Sequence, residues 1–216
     1  MEPLRQFIPY EEFDYLTLLG GLKGYARPRD KITALLRTAT IIRVKKGLYI
    51  FGPSQRREAY SRELLANWIY GPSYVSLEYA LSRYGMIPER VETLTSVTCG
   101  KSRAFRTPVG RFTYSAIPLR AYWVGVDRVE LNDNRGFLMA TREKALADKL
   151  SQERRVKIRS RKRLEAFLLE DLRIDPDAMR QLDPDVMRSI AQHWGSRRVA
   201  LLATYLEKRG ARASDE

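Results

Sequence analysis

The chain of 216 residues is long enough for one large domain or two small ones, and its hydrophobic share of 44% excludes general disorder. Its formal net charge of +13 favours a polyanionic partner, nucleic acid before an anionic membrane surface, because such an excess repels itself in a compact fold. The sequence lacks an apolar run of the roughly 18 residues that span a bilayer, and its acidic, aromatic start does not resemble a secretory signal. Since Cys99 is the only cysteine, an internal disulfide is impossible, and we expect a cytoplasmic protein without membrane association.

The first part of the chain predicts a winged helix-turn-helix. Residues 10–19 have helical spacing with acids in the first turn, and Gly20-Gly21 ends the pattern. A second amphipathic helix follows over residues 29–39, with Pro28 suited to its first turn. Residues 42–51 then alternate as two strands joined at Gly47, which predicts a tight hairpin, the wing.

The outward face of the second helix and the wing are strongly basic. An α-helix fits the major groove of DNA, where arginine can read guanine and threonine can touch a thymine methyl group or a phosphate. We therefore predict groove contacts from Arg29, Thr33 and Arg37, and phosphate or minor-groove contacts from the basic residues of the wing. The full predicted DNA-binding set is Arg27, Arg29, Lys31, Thr33, Arg37, Arg43, Lys45 and Lys46.

The rest of the chain predicts an α+β fold. Helical patterns over residues 58–70, 77–84 and 142–150 alternate with strand-like runs at 92–98, 111–117 and 136–140, with turn residues at Asn132-Asp133-Asn134 and a helix cap at Thr141. These runs predict a small antiparallel sheet. Beyond it the chain is helical, with Asp175-Pro176 and Asp183-Pro184 as helix starts. We predict a winged helix-turn-helix domain at 1–53, an α+β domain at 54–152 and a helical region at 153–216 that is separate or packs with the second domain.

Two further stretches are basic. The sequence has no acid between Glu92 and Asp127, where a predicted loop or hairpin turn carries several cations, and none from Arg154 to Arg163. The last three of these cations fall in the predicted first turn of a helix, where the helix dipole disfavours positive charge. Phosphate contact, contact with an acidic protein and simple solvation all remain open. The secondary basic surface comprises Lys101, Arg103, Arg106, Arg159, Arg161 and Arg163.

Enzyme signatures are weak in this sequence. His193 is the only histidine, and with one cysteine it cannot build a structural zinc site. The glycine-rich phosphate-binding motifs are absent from the sequence. We expect no catalytic residue, metal or cofactor. Two alternatives stay open: a metal-dependent nuclease using Glu78, Glu92 and Lys101 behind a DNA-binding domain, and a basic protein-interaction module.

Several segments, in order, resemble the AbiEi family of antitoxins. The wing reads RVKKGLY over residues 43–49, YVSLEYAL follows at 74–81, TPVGRF at 107–112 and ATREKALAD at 140–148. The likeness covers about residues 10–150 and departs at Tyr84, where the family often has histidine. AbiEi proteins are two-domain transcriptional regulators of bacterial type IV toxin–antitoxin and abortive-infection operons.

The resemblance implies a function and its partners. A member of this family binds double-stranded DNA at its own promoter through the winged domain and represses its operon. Its C-terminal domain neutralises a nucleotidyltransferase-like toxin, and a stable complex with that toxin is not required. We therefore expect a DNA-binding repressor and antitoxin that is not an enzyme.

Overall fold

The first unit of the protein, in a computed structural model that describes residues 2–131 and 134–213, is a three-stranded antiparallel sheet with three helices. Its elements are α1 (Glu2–Phe7), β1 (Glu12–Asp14), α2 (Tyr15–Gly21), α3 (Pro28–Arg37), β2 (Ile41–Lys45) and β3 (Leu48–Phe51). The strands lie in the order β1-β3-β2. This order of helix, strand, two helices and hairpin is the one expected of a winged helix-turn-helix. The assignment of that fold stays a prediction.

The predicted helix over residues 10–19 is wrong in its first half. Glu12–Asp14 form β1 against β3, and the helix begins only at Tyr15. The Asp14 side chain caps this helix by accepting an N–H of its first turn at 2.8 Å. Glu11 is buried and paired with the guanidinium of Arg5 in α1. Glu11 therefore serves as an ion-pair partner, Glu12 lies in the edge strand β1, and Asp14 caps α2.

The second unit is built on a six-stranded sheet. Its elements are α4 (Arg62–Ile69), β4 (Ser73–Val75), α5 (Leu77–Arg83), β5 (Leu94–Thr98), β6 (Arg103–Thr107), β7 (Gly110–Ala116), a 3₁₀ turn (Leu119–Ala121), β8 (Val126–Glu130), β9 (Gly136–Ala140) and α6 (Arg142–Gln152). The strand order is β6-β7-β5-β4-β9-β8. The β4–β9 and β5–β7 pairs are parallel and the others antiparallel. The α+β class is confirmed, but the small antiparallel sheet is wrong, because the sheet is larger and mixed.

This sheet separates two layers of helices. On one face lies α4, where the Tyr114 hydroxyl of β7 donates to the Ala66 carbonyl at 2.7 Å. On the other face lies α6, where the Tyr74 hydroxyl of β4 donates to the Asp148 carboxylate at 2.9 Å. Because neighbouring side chains of a strand point to opposite faces, one strand can contribute to both layers.

The C-terminal region is helical, as predicted. It comprises α7 (Arg161–Ala166), a π-helical turn (Phe167–Asp171), α8 (Pro176–Arg180), α9 (Pro184–Trp194) and α10 (Arg197–Ala213). Asp175 and Asp183 cap α8 and α9 as predicted, each accepting two backbone N–H groups. The helices α9 and α10 pack on α6.

The C-terminal helices share a core with the sheet. Leu146 of α6, Leu164 of α7 and Leu202 of α10 are all fully buried in one apolar cluster with the sheet residues. The proposed boundary between residues 152 and 153 thus runs through a continuous core. The predicted turn residues Asn132 and Asp133 lie outside the described residues.

Within the described ranges, no helix is both long and apolar enough to cross a bilayer.

Candidate nucleic-acid interface

Helix α3 is held in place by its apolar face. Pro28 stands at the first helical position, where its missing N–H would have no partner in any case. Ile32 and Leu35 are buried in the separate core of the first unit, together with Phe13 and Ile41. The opposite face of the helix is left to solvent.

The solvent face of α3 carries a stripe of three side chains. Arg29, Thr33 and Arg37 are all exposed and follow one another at a spacing of four residues, about one helical turn. The Thr33 hydroxyl donates to the Arg29 carbonyl at 3.1 Å, so its oxygen is still able to accept a hydrogen bond. Within the described residues, neither arginine of the stripe has an acidic partner. We call these three residues the α3 stripe; their contact with DNA stays a prediction.

Arg27 and Lys31, also predicted to bind DNA, have neighbours of their own. The Arg27 guanidinium is 3.9 Å from the Asp30 carboxylate, and both side chains are largely exposed, so this pair is weak. The Lys31 ammonium lies 4.9 Å from the ring centroid of Tyr25. Arg27 stays accessible at the start of α3, whereas Lys31 is half-buried beside the stripe.

The predicted wing is present as the hairpin of β2 and β3. Gly47 in its turn has φ of +84°, a conformation that glycine adopts without strain. The Gly47 carbonyl accepts the Tyr15 N–H at 2.9 Å, which ties the turn to α2. Arg43 and Lys46 are exposed. Lys46 also borders a cavity of about 580 Å³ that it shares with Trp68 of α4.

Lys45 has partners within the protein, and its contact with DNA stays a prediction. Its ammonium donates to the Ile69 carbonyl at the end of α4, at 2.5 Å, and lies 5.1 Å from the ring centroid of Phe105. A cation held by a carbonyl and an aromatic ring is already partnered. Lys45 is still exposed, and the wing is held against the second unit mainly by Val44, Leu48 and Ile50, which are buried in the main core.

The basic segment after β5, predicted as a loop or hairpin turn, forms the strand β6 of a hairpin with β7. Lys101 is exposed just before β6, and Arg103 and Arg106 are exposed on β6, the edge strand of the sheet. Arg106 stands directly opposite Arg111 of β7, and like charges in such a cross-strand pair repel each other. Phe105, which lies between Arg103 and Arg106 in the chain, is the ring beside the Lys45 ammonium of the wing. The β6–β7 hairpin thus adds cations beside the wing.

The other three residues of the predicted secondary basic surface, Arg159, Arg161 and Arg163, lie in a different part of the protein. The Arg161 guanidinium is 5.5 Å from the ring centroid of Tyr205, and Arg163 forms a 3.0 Å ion pair with Asp171. Both arginines have internal partners, which accounts for their position in the first turn of α7. Arg159 is exposed. All three belong to the helical layer around α10, on the sheet face opposite α4.

The two acids proposed for the alternative metal-dependent nuclease site, Glu78 and Glu92, each form an ion pair with a nearby cation. Glu78 forms a 2.8 Å ion pair with Lys149, and Glu92 a 3.0 Å ion pair with Arg90. Both acids border a cavity of about 780 Å³, but Lys101 does not line it. Among the described residues, no group of three or more histidine, cysteine or acidic side chains is arranged to hold a metal ion.

A buried charge network was missed by the sequence reasoning. Lys144 and Asp148, one turn apart on α6, are completely buried and form a 2.9 Å ion pair. The Lys144 ammonium also donates to the Ala121 carbonyl at 2.6 Å. Asp148 accepts hydroxyl hydrogen bonds from Tyr74 at 2.9 Å and Ser76 at 2.8 Å. The sequence signal for a buried Asp148 was its apolar surroundings, Ala145-Leu146-Ala147 before it and Leu150 after it.

Burial sets the titration of this network. Loss of hydration lowers the pKa of Lys144 and raises the pKa of Asp148, and their mutual attraction opposes both shifts. The pKa of Tyr74 is raised by burial and by the neighbouring Asp148 carboxylate. The network connects the sheet, α6 and the 3₁₀ turn, and it faces away from solvent. It is a structural feature of the second unit.

Comparison with known proteins gives no family model that matches the chain and no curated protein that matches it. The case for a function therefore rests on the residues and their geometry.

Proposed function

We propose that this protein is a DNA-binding transcriptional repressor of the antitoxin type, and that the first unit binds double-stranded DNA. The α3 stripe is the observation that supports this proposal most directly. Two arginines and a threonine project from one face of a helix whose other face is buried. A helix of this kind presents donors and a methyl group to the base edges of the major groove.

The cations around the stripe supply phosphate contacts. Arg27 stands at the start of α3, Arg43 and Lys46 on the wing, and Arg103 on the neighbouring edge strand. Contacts of this type position a protein on the duplex and carry little sequence information. The division of roles is then clear: the stripe reads sequence, and the surrounding cations provide affinity that depends on salt.

The antitoxin role rests on the resemblance of the wing and of the segments at 74–81, 107–112 and 140–148 to AbiEi proteins. By that likeness the DNA target is the promoter of the protein's own operon. The functional partner is a nucleotidyltransferase-like toxin encoded next to it, and a stable complex with that toxin is not required. A gene of that type beside this one would support the role, and its absence would leave DNA binding without the antitoxin function.

A salt titration of duplex binding tests the DNA-binding proposal. The full chain is titrated with the duplex found immediately upstream of its gene and with a random duplex of equal length. We expect tighter binding to the upstream duplex and a linear fall of log affinity with log salt, with a slope of about 0.9 for each phosphate neutralised. A protein-interaction module would show no such slope.

A pair of matched variants localises that binding. Arg29→Gln/Arg37→Gln removes two charges from the α3 stripe, and Lys162→Gln/Lys208→Gln removes two from exposed positions in the C-terminal helices. We expect the first variant alone to lose preference for the upstream duplex. Equal behaviour of the two variants would overturn the assignment to α3.

A further inference from the structure

A cavity lined by cations lies in the C-terminal helical layer, away from the α3 stripe. It measures about 650 Å³ and opens between the segment that follows α6 and the first turn of α10. The residues that line it are Lys157, Ile158, Arg159, Arg197, Arg198 and Leu201. Four of these six carry a positive charge and the other two are aliphatic, so the lining contains no carboxylate.

The framework of this cavity is fixed on both sides. Ile158 is buried in the main core, which sets the position of the backbone between Lys157 and Arg159. The Arg198 guanidinium donates to the Glu153 carbonyl and joins the segment to α10. The cavity is therefore built by packed elements, and its cations converge from two separate parts of the chain.

The nearest acid on the segment is already engaged. The Glu153 carboxylate accepts the backbone N–H groups of Arg155 at 2.7 Å and Val156 at 3.3 Å, and lies 3.9 Å from the Lys149 ammonium. Within the described chain, Lys157, Arg159 and Arg197 have no ion-pair partner. Four like charges around one concavity repel each other, and an anion placed among them would relieve that repulsion.

We propose that this cavity, which we call the α10 cleft, binds phosphates of a single nucleic-acid strand. Arginine is suited to this role because its planar guanidinium donates two parallel hydrogen bonds to a phosphate. A volume of about 650 Å³ is ample for a short piece of one strand and far too small to admit a duplex. The half-buried side chain of Leu201 adds an aliphatic surface for sugar or base edges.

The α10 cleft and the α3 stripe form independent sites. The wing contacts the end of α4, whereas α10 packs on α6, and these two helices lie on opposite faces of the sheet. The cleft is too small for a duplex, so a duplex held by α3 would not occupy it. Single-strand binding at the cleft therefore does not depend on duplex binding by the first unit.

Fluorescence anisotropy with a labelled single-stranded DNA oligonucleotide tests the inference. The variant Arg159→Gln/Arg197→Gln removes two cleft charges and leaves Arg198 with its structural hydrogen bond. Lys162→Gln/Lys208→Gln removes the same charge from exposed positions outside the lining, and circular dichroism verifies that both variants are folded. Because each contact with a single strand contributes about 0.7 to the salt slope, we expect the cleft variant to bind roughly 20-fold more weakly at about 0.1 M salt. Its slope should fall by about 1.4.

Each result decides the question. Weaker strand binding by the cleft variant alone supports the inference, and it does so whether or not the α3 variants affect duplex binding. Equal binding by the cleft and control variants overturns it. Inorganic phosphate is the second probe: if it competes as strongly as the oligonucleotide, per phosphate, the cleft is a site for free phosphate and the nucleic-acid assignment is wrong.

Discussion

The α3 stripe and the Lys144–Asp148 pair place charge in opposite surroundings. The stripe has water on its outer side and no acidic partner among the described residues, so its charges are available to another molecule. The pair is fully buried, and hydrogen bonds occupy its ammonium and one carboxylate oxygen. Burial thus separates charges that are open to another molecule from similar charges that serve the internal architecture of the protein.

The largest expected effect comes from removing one partner of the buried pair. Lys144→Met leaves the Asp148 carboxylate buried without its cation, and we expect a loss of about 3–5 kcal/mol in the free energy of unfolding, measured by urea denaturation. The double variant Lys144→Met/Asp148→Asn serves as the control and should recover much of the loss, because no uncompensated charge remains. A loss below about 1 kcal/mol for the single variant would show that the pair is not what holds this region together.

Arg37→Ala should weaken DNA binding and leave the free energy of unfolding nearly unchanged, in contrast to Lys144→Met. We expect a cost of about 1–3 kcal/mol in binding to the upstream duplex and relaxed preference at one base pair. Stability should change by no more than about 0.5 kcal/mol, because the side chain is exposed. Competition binding with single-base variants of the duplex measures the preference. Equal loss on specific and random DNA would refute the assignment of Arg37 to the groove.

Lys46→Ala is expected to weaken binding to every DNA sequence by the same factor. Loss of one phosphate contact should reduce the salt slope by about 0.9 and weaken binding about eightfold at about 0.1 M salt. The same factor is expected for the upstream and the random duplex. A change confined to the upstream duplex would mean that the wing reads bases.

Lys45→Ala gives the smallest effect and sharpens the contrast within the wing itself. Its ammonium is held by the Ile69 carbonyl and lies beside Phe105. Because the Lys45 side chain is exposed, we expect a loss of only about 1 kcal/mol in the free energy of unfolding, below the usual range for a charged donor, and little change in the salt slope of DNA binding. A full reduction of that slope, as for Lys46→Ala, would show that Lys45 leaves the second unit to reach phosphate.

Local sequence patterns predicted the elements of the site well. The apolar spacing of α3, the alternation of the wing, the strand Gly136–Ala140 and the Thr141 cap of α6 all depend on residues close together in the chain, and each is found in the structure. Periodicity of this kind reports which face of an element is buried. It therefore predicted which residues of α3 would be exposed.

Long-range pairings were not accessible from the same patterns. The parallel pair of Val75 with Met139 joins strands more than sixty residues apart, and the roles of Glu11 and Lys45 depend on Arg5 and Ile69. A residue's own neighbours in sequence carry no record of such partners. The sheet was therefore predicted too small, an acid was placed in a helix that begins later, and the internal partners of Lys45 were not foreseen.

The separate core of the first unit has a consequence during synthesis. The residues of this separate core run from Leu4 to Phe51, so they have all been made before the ribosome reaches α4, whereas Val44, Leu48 and Ile50 of the hairpin are buried in the main core. The centre of the large sheet, by contrast, needs β9 beside β4, and thus waits for most of the chain. We expect the emerging polypeptide to assemble its N-terminal part early, and the ammonium of Lys45 to find its carbonyl only when the later part arrives.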